Sequence, residues 1–272
     1  MIHLPRRQIT VASRQQLASW QGELDLIDDF RKRVKKAKSK YKYHRSVPGD
    51  TTFADVKSTL AEMCHKPRRC MYCEDSLAYQ IEHFRPHSIF PEETFVWENL
   101  LYSCGSCNQA KLAKFKIITH VSHRIVNVAP RDPRKGRSSR PPTGTALLIN
   151  PSVDDPLTYI ELVMAPTVFT YLPVGRRGSR TFIRGAETIK TLNLNEDFLR
   201  DAREGAYDTF KTYLKDYVRE RLDGGSQSDL DGIRRRLLQK QYIGVWRQMQ
   251  RHYRTYPDLV ALFAQEPAAL TW

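Results

Sequence analysis

Apolar residues in the first part of the chain recur at the three- and four-residue spacing of a helix with one buried face. The predicted helix starts at Ser13, and its apolar positions are Leu17, Trp20, Leu24, Ile27 and Val34. A second, shorter helix is predicted after Asp50. Its apolar side consists of Phe53, Val56, Leu60 and Cys64, so Cys64 is predicted to be a small core residue.

The second half of the chain predicts one strand pair followed by helices. Two apolar segments, 159–164 and 168–172, flank a short turn and predict two paired strands. A long helix is predicted from Asn195, a good N-cap residue, to the glycine pair at 224–225. Ser228 is predicted to cap a further helix, so this region is expected to be mainly helical.

Residues 70–116 lack a long helical period in their first half and predict a knuckle, a hairpin and a helix. The chain is therefore predicted to be of the α+β class. We divide it into an N-terminal helical basic region, a small central module, a mobile basic loop or linker rich in Pro, Gly, Ser and Arg, and a mainly helical C-terminal region with a short strand pair. The respective bounds are 1–64, 65–125, 126–145 and 146–272.

Composition and charge narrow the function. The chain has 272 residues, 44 Lys and Arg against 30 Asp and Glu, and a formal charge of +14. This excess predicts a polyanionic partner, with nucleic acid first and an anionic membrane surface second. No apolar stretch approaches the roughly 20 residues of a spanning helix, and no secretory signal is recognised. A cytoplasmic location is the default expectation, and 40% hydrophobic residues argue against general disorder.

The positive charge is concentrated in residues 31–45, which contain nine Lys and Arg and no carboxylate. We expect this run to span the end of the first helix and a linker. Two interpretations remain open. The run could be a solvated face whose cations are favoured near the helix C-terminus by the helix dipole, or it could contact phosphates through residues that include Lys35, Lys36 and Lys38. A second basic stretch, 131–140, lies in the predicted loop on the other side of the central module.

Four of the five cysteines form two doublets with the same spacing, Cys70 with Cys73 and Cys104 with Cys107. Two residues between thiolates let one tight turn present both sulfurs to one ion, and two such turns complete a closed, structural tetrahedral Zn²⁺ site. A redox pair and a disulfide framework are weaker alternatives. Cys64 and His65 could in principle replace one ligand.

The segment between the doublets contains Glu82-His83 and then Asn99, and Asn108 directly follows the last cysteine. This combination resembles the HNH endonuclease family over about residues 65–120. In that family an acidic residue and His lie on the first strand of a ββα-metal module, Asn follows the hairpin loop, and His or Asn begins the helix. The resemblance implies a small zinc-stabilised ββα-metal module embedded in a mainly helical protein.

The same resemblance assigns roles to individual residues. It places His83 at the general base, Glu82 and Asn108 at a catalytic divalent metal, and Asn99 at the position that holds the hairpin loop. Glu82 departs from the pattern, because Asp or His is commoner at this position and Glu has a longer side chain. Asn instead of His at position 108 is an accepted variant.

Hydrolysis of a phosphodiester requires a water molecule, a proton acceptor near neutral pH, and positive charge near the leaving oxygen. Histidine supplies the acceptor, with an unperturbed pKa of about 6.5. Mg²⁺ or Mn²⁺, held by oxygen ligands, would supply the positive charge. Arg85 and Lys111 are predicted to contact flanking phosphates.

Each of these residues also has a simpler interpretation. A single histidine on a strand is usually a polar residue with ordinary hydrogen bonds, but His83 alone has an acidic neighbour between the doublets. His87 is expected to be exposed rather than a supporting residue. Asn99 could be only a turn former, and Lys111 only a solvated helix residue.

A more particular resemblance rests on the phrases Arg69-Cys-Met-Tyr-Cys, Ile81-Glu-His-Phe-Arg-Pro-His-Ser and Trp97-Glu-Asn-Leu-Leu. They are similar to the HNH nuclease subunit of Septu-type antiphage systems, which is also found as an effector in some retrons. This resemblance implies a defence role and an ABC-type ATPase partner, with a reverse transcriptase and its RNA or DNA in retron systems. His87 departs from the Lys expected there.

The predicted function is a metal-dependent endonuclease that cuts nucleic acid, with DNA favoured and RNA possible. A stand-alone restriction-type nuclease is the nearest alternative and would cut without a partner. A non-catalytic zinc-ribbon protein would need only the cysteines and the charge, whereas the combination of Glu82, His83 and Asn108 favours an enzyme.

Overall fold

Three helices form the N-terminal part of the protein, which we describe from a computed structural model covering residues 1–64, 68–130, 132 and 136–272. They are α1 (Val11–Asp25), α2 (Phe30–Ser46) and α3 (Thr51–Met63). Each begins after a residue whose side chain accepts a hydrogen bond from a backbone N–H of the first turn. These capping residues are Thr10, Asp29 and Asp50.

The single helix predicted from Ser13 through Val34 is two helices. α1 ends at Asp25, and Asp29 starts α2 by accepting a hydrogen bond from Lys32 N at 2.7 Å. The basic run 31–45 is consequently helical throughout, not the end of a helix followed by a linker. Its helix is held in place because Val34, Ala37 and Tyr41 are buried.

The central region contains a hairpin and a short helix, as the sequence predicted. Strands β1 (Gln80–His83) and β2 (Leu100–Ser103) pair antiparallel, with His83 opposite Leu100. Helix α4 (Gly105–Lys111) follows directly. The ββα arrangement is therefore present, and the four doublet cysteines lie buried beside it.

A second sheet extends beyond this unit in the order β4-β3-β5. Its strands are β3 (Lys116–Thr119), β4 (Ile125–Asn127) and β5 (Gly144–Ala146). β4 and β5 lie largely inside the segment predicted as a mobile linker, and they are ordered by pairing with the buried strand β3. Of the basic residues predicted there, Arg131, Arg134 and Lys135 lie outside the described residues.

The C-terminal region is mainly helical, and the predicted strand pair is present. Strands β6 (Ile160–Val163) and β7 (Thr170–Pro173) form a hairpin. The helices that follow are α5 (Arg180–Thr191), α6 (Asp197–Leu222), α7 (Gln227–Leu238), α8 (Ile243–His252) and α9 (Pro257–Gln265). No helix among the described residues is long and apolar enough to cross a membrane.

Two predicted helix starts are shifted. Asn195 does not cap α6; its side chain instead makes two hydrogen bonds to the backbone of Tyr171 in β7, each 2.9 Å long. α7 begins after Ser226, which accepts a hydrogen bond from Asp229 N, so Ser228 lies inside the helix. α8 is a separate helix that starts after Tyr242, a residue in the left-handed conformation.

One contiguous cluster of buried apolar side chains includes residues of the N-terminal helices, the ββα unit and the C-terminal helices. Glu74 adds a polar link, since its carboxylate accepts a hydrogen bond from Gly244 N in α8 at 2.9 Å. The protein is thus of the predicted α+β class, mainly helical with small antiparallel sheets. The division into four segments stays a prediction.

Gly136 lies against α2 and provides a test of this packing. Both Gly136 and Gly49 have φ between +70° and +80°, but a Cβ at Gly136 would meet the Val34 side chain and the Ser88 carbonyl, whereas one at Gly49 meets nothing. We expect Gly49→Ala to lower the free energy of unfolding by about 1–2 kcal/mol through backbone strain alone. Gly136→Ala should cost about 1–3 kcal/mol more through overpacking. Urea denaturation measures both, and equal losses would contradict the contact.

Candidate active site and zinc centre

The four doublet cysteines converge at one point beside the hairpin. Their sulfur atoms all lie within 4.8 Å of one another, and Sγ of Cys73 and Sγ of Cys104 are 3.8 Å apart. Four sulfurs at about 2.3 Å from a tetrahedral Zn²⁺ would be about 3.8 Å apart. The site is buried and, among the described residues, contains no carboxylate or histidine, so its residues fit a closed, structural zinc site.

The alternatives for the cysteines are not supported by the geometry. All five are free thiols, and Cys64 is a buried core residue whose Sγ lies 3.2 Å from the Leu60 carbonyl oxygen, as predicted for a core position. Cys64 is not a member of the sulfur cluster. The proposed substitute ligand His65 lies outside the described residues.

His83 lies at the floor of a cleft of about 820 Å³ between the ββα unit and α2. It is the last residue of β1, and only 6% of its surface is exposed. Its Nε2 lies 2.8 Å from the Thr94 carbonyl oxygen, which can only accept a hydrogen bond. Nε2 therefore carries the proton, and Nδ1 keeps the lone pair that a general base requires.

The surroundings of His83 keep its ring neutral. Burial and the neighbouring His87 hold the pKa of His83 well below its usual value, and the hydrogen bond to Thr94 opposes this shift. Tyr41 of α2 packs edge-on against the ring with centroids 4.4 Å apart, and its hydroxyl donates to the Ile81 carbonyl at 2.9 Å. The basic helix and the strand that carries His83 are thereby joined.

His87 is closer to His83 than expected. It is partly buried, it lines the same cleft, and its Nδ1 lies 3.4 Å from Nδ1 of His83. The prediction of an exposed side chain does not agree with this placement. The turn that follows β1 brings the ring back over the cleft floor.

Asn99 holds the loop between the two strands. Its Oδ1 accepts a hydrogen bond from Arg85 N at 2.7 Å, and its Nδ2 donates to the carbonyls of Arg85 and Glu93 at 3.0 and 2.9 Å. Both ends of the hairpin loop are therefore tied to one buried amide. This is the geometry that a loop-fixing residue requires.

Glu82 is almost completely buried and already has partners for both carboxylate oxygens. Oε1 forms an ion pair with Lys111 Nζ, and Oε2 accepts a hydrogen bond from Tyr72 at 2.8 Å. Lys111 Nζ also donates to the His83 carbonyl at 2.8 Å. Burial raises the pKa of Glu82, while Lys111 and Tyr72 lower it.

The burial of Lys111 changes its predicted role. Its side chain has no exposed surface, so its ammonium cannot reach a phosphate in solution from this position. Arg85 is also turned away from His83: its guanidinium lies 3.2 Å from Glu93, donates to the Gly144 carbonyl at 2.9 Å and stacks over Phe90. The structure does not bring these two predicted phosphate contacts to the cleft.

The predicted catalytic Mg²⁺ or Mn²⁺ does not fit the side chains as they are placed. Glu82 and Asn108 both line the cleft, but Glu82 is the only carboxylate among the described lining residues and is neutralised by Lys111. The Asn108 side-chain nitrogen is hydrogen-bonded to Gln80 Oε1. The four-cysteine cluster is the only convergence of three or more metal-ligating His, Cys, Asp or Glu side chains in the described part of the chain.

The basic run supplies a charged wall opposite His83. Five of its cations share the face of α2 that lines the cleft: Arg31, Lys35, Lys38, Lys42 and Arg45. Their spacing of four, three, four and three residues puts them on one side of a helix. Of the three lysines predicted to bind nucleic acid, Lys35 and Lys38 lie on this cleft face and Lys36 does not.

Two further cations of the same run hold α2 against the end of α1. Arg33 donates to the carbonyls of Ile27 and Asp25 at the end of α1, and Lys40 is paired with Glu23. These contacts anchor α2 to α1. Sequence reasoning missed this division, although the four-three repeat of the cleft-facing cations was visible in the sequence. It also missed Tyr41 and Tyr72, whose roles depend on contacts between distant segments.

The fold and site thus define an α+β protein with a four-cysteine ββα unit and a histidine in a basic cleft. No family model matches the chain. The chain is similar to the Septu protein PtuB of Bacillus thuringiensis, with 29% identity over 146 residues. The match covers 52% of this chain and 41% of that relative, so less than half of the relative's length is represented.

Loss of one cluster cysteine should release zinc. We expect Cys104→Ser to lose the metal and to expose the ββα unit to proteolysis, because three thiolates leave the tetrahedral site incomplete. Cys64→Ser is the matched control, since Cys64 is equally buried but lies outside the cluster. Metal analysis of the purified proteins should give about one zinc per chain for the control and the unsubstituted protein. Retention of zinc by Cys104→Ser would contradict the four-sulfur site.

Removal of Lys111 should destabilise the protein through Glu82. Lys111→Met leaves a buried carboxylate without its partner, which costs about 3–5 kcal/mol of unfolding free energy. The double variant Glu82→Gln, Lys111→Met removes both charges and should recover most of this loss. Lys114→Met, at an exposed position in the next turn, is the control. Urea denaturation measures the stability of the unsubstituted protein and of the three variants. If Lys111→Met were as stable as Lys114→Met, the ion pair between Glu82 and Lys111 would not be formed.

Proposed function

We propose that this protein is an HNH-type endonuclease that hydrolyses phosphodiester bonds of nucleic acid, with DNA as the favoured substrate. The observation that carries the proposal is that His83 and five cations of α2 line the same cleft. A non-catalytic binding protein would need the cations but not a buried histidine with an unprotonated nitrogen beside them. The resemblance of the motif to HNH enzymes supports the same conclusion.

In the proposed reaction His83 Nδ1 takes a proton from the attacking water. The Thr94 carbonyl holds the ring in the required tautomer, since it accepts the Nε2 proton. The cations of α2 bind phosphates on either side of the cleavage point and orient the phosphodiester above the histidine. From Arg31 to Arg45, a separation of 14 residue steps, the helix rises about 21 Å, which is long enough to follow several phosphates.

The divalent ion that the resemblance implies does not fit the side chains that line the cleft. Bound Mg²⁺ or Mn²⁺ would stabilise negative charge on the phosphate. The resemblance implies such an ion at Glu82 and Asn108, but Lys111 already neutralises Glu82. We therefore assign no step of the reaction to it, and the cleavage assay must include both ions and a chelator.

The biological setting is proposed from the similarity to Septu protein PtuB. We infer that the protein acts in an antiphage defence complex with an ABC-type ATPase, which the resemblance to Septu-type systems implies. A retron reverse transcriptase is a further candidate partner on the same ground. Co-purification with the product of a neighbouring ATPase gene tests this; cleavage at full rate without any partner would favour a stand-alone nuclease.

The catalytic proposal predicts that cleavage depends on His83. We expect His83→Ala to abolish cutting of plasmid DNA or RNA while the protein still binds them, because the proton acceptor is lost and the α2 cations remain. The loss should be at least about 100-fold, the usual contribution of a general base. Strand cleavage is followed on gels with Mg²⁺, Mn²⁺ or chelator, with and without the ATPase. Undiminished cutting by His83→Ala would refute the mechanism, and binding without any cutting would favour the zinc-ribbon alternative.

The cleft-facing cations should determine nucleic-acid affinity. Replacing Lys35, Lys38 and Lys42 by Gln should weaken binding and reduce the slope of log affinity against log salt by about 2–3, since each phosphate contact contributes about 0.7–0.9. The control carries Lys32, Lys36 and Lys57 replaced by Gln, which removes the same charge from exposed positions outside the cleft. Fluorescence anisotropy at several salt concentrations measures both. Equal slopes for the two triple variants would contradict the proposed interface.

A further inference from the structure

Two histidine rings meet at the cleft floor, and the reaction proposed above uses only that of His83. The rings of His83 and His87 lie at 66° to each other with centroids 4.8 Å apart, and their Nδ1 atoms are 3.4 Å apart. This separation is longer than the roughly 3.2 Å upper end of ordinary N–H hydrogen bonds. Direct bonding between the rings is therefore weak, and one small polar molecule can contact both nitrogens.

The ring of His87 is held over the cleft by an ordered turn. The Pro86 carbonyl accepts hydrogen bonds from Ile89 N and Phe90 N, both 2.8 Å long, and the Ser88 carbonyl accepts one from Arg137 N. Tyr41 lies against the ring with centroids 5.8 Å apart. The ordered turn and the contact with Tyr41 thus place the His87 ring beside His83 at the cleft.

The electrostatic surroundings favour a neutral molecule between the two nitrogens over a metal ion. Burial and the nearby cations Lys38, Lys111 and Arg45 lower the pKa of His87 to about 4. Both rings are therefore uncharged near neutral pH, and each keeps one unprotonated nitrogen; the role proposed below requires that of His87 to be Nδ1, with its proton on Nε2. The same cations repel a further positive ion at this point.

We propose that His87 is a second catalytic residue, whose Nδ1 holds the attacking water together with Nδ1 of His83. This inference rests on the proposed phosphodiester hydrolysis. The water donates one hydrogen to each imidazole, so that an oxygen lone pair points away from both rings towards the phosphorus. As the new P–O bond forms, one proton passes to His83 and the leaving O3′ departs with its bonding electron pair. His83 then releases its proton, and O3′ takes up one from solvent.

Two substitutions of His87 separate this role from simple packing. His87→Leu fills the space but removes the acceptor, whereas His87→Asn keeps an oxygen close to the position of Nδ1. We expect His87→Leu to lower kcat about 10- to 100-fold, a partial loss of acid–base catalysis, with little change in KM because the α2 phosphate contacts remain. His87→Asn should recover most of the lost rate. Urea denaturation and zinc content should be the same for both variants.

Several results would overturn the inference. An unchanged kcat in His87→Leu would show that His87 does not contact the water, and an increased kcat would show that it restrains His83 instead. Equal losses in the Leu and Asn variants would indicate packing alone. Binding of one Mn²⁺ per chain that is lost only in His87→Leu would identify a metal ligand. In each case dependence of cleavage on His83 leaves the proposed function standing, whereas a native protein that never cleaves refutes both.

Discussion

A buried ammonium group must have its charge compensated, and the placement of Lys111 determines much of the site around it. Its Nζ contacts the Glu82 carboxylate and the His83 carbonyl, two groups of the same strand. Lys111 ends α4, which begins directly after Cys104 and carries Cys107 in its first turn. The ion pair attaches α4 to strand β1, and the sulfur cluster attaches α4 to the turn that carries Cys70 and Cys73. The backbone of His83 is therefore held in place by α4.

The cleft depends on a second set of buried polar contacts, between segments that are distant in the chain. α2 precedes β1 by more than thirty residues, yet Tyr41 bonds to the Ile81 carbonyl and packs against His83. Arg33 and Lys40 join the same helix to α1. Part of the basic run is therefore used for anchoring, which leaves one face of cations directed at the cleft. A high local charge and a defined helix position arise from the same fifteen residues, 31–45.

The burial of His83, the partial burial of His87 and the cations around them together determine the protonation of the two rings. Burial lowers the pKa of His83 and of His87, and cations near the cleft floor lower both further. Neutral imidazoles can accept protons, and two of the cations that lower the pKa of His87, Lys38 and Arg45, also line the cleft. In the proposed function, the same cleft therefore binds phosphate and holds the proton acceptor.

The sequence alone determined the features that depend on local spacing. Two Cys doublets predicted a four-sulfur site, and two apolar segments around a short turn predicted the β6–β7 hairpin. The resemblance of Glu82, His83, Asn99 and Asn108 to the HNH motif implied a ββα unit. Tertiary structure decided the features that depend on which side chain meets which. The sequence showed Lys111 as a charge near an active site and His87 as an exposed ring, but burial against Glu82 made the first a structural cation, and a turn placed the second beside His83. Spacing along the chain specifies secondary structure and ligand doublets, whereas the protonation and reach of a polar group depend on neighbours that only folding brings together.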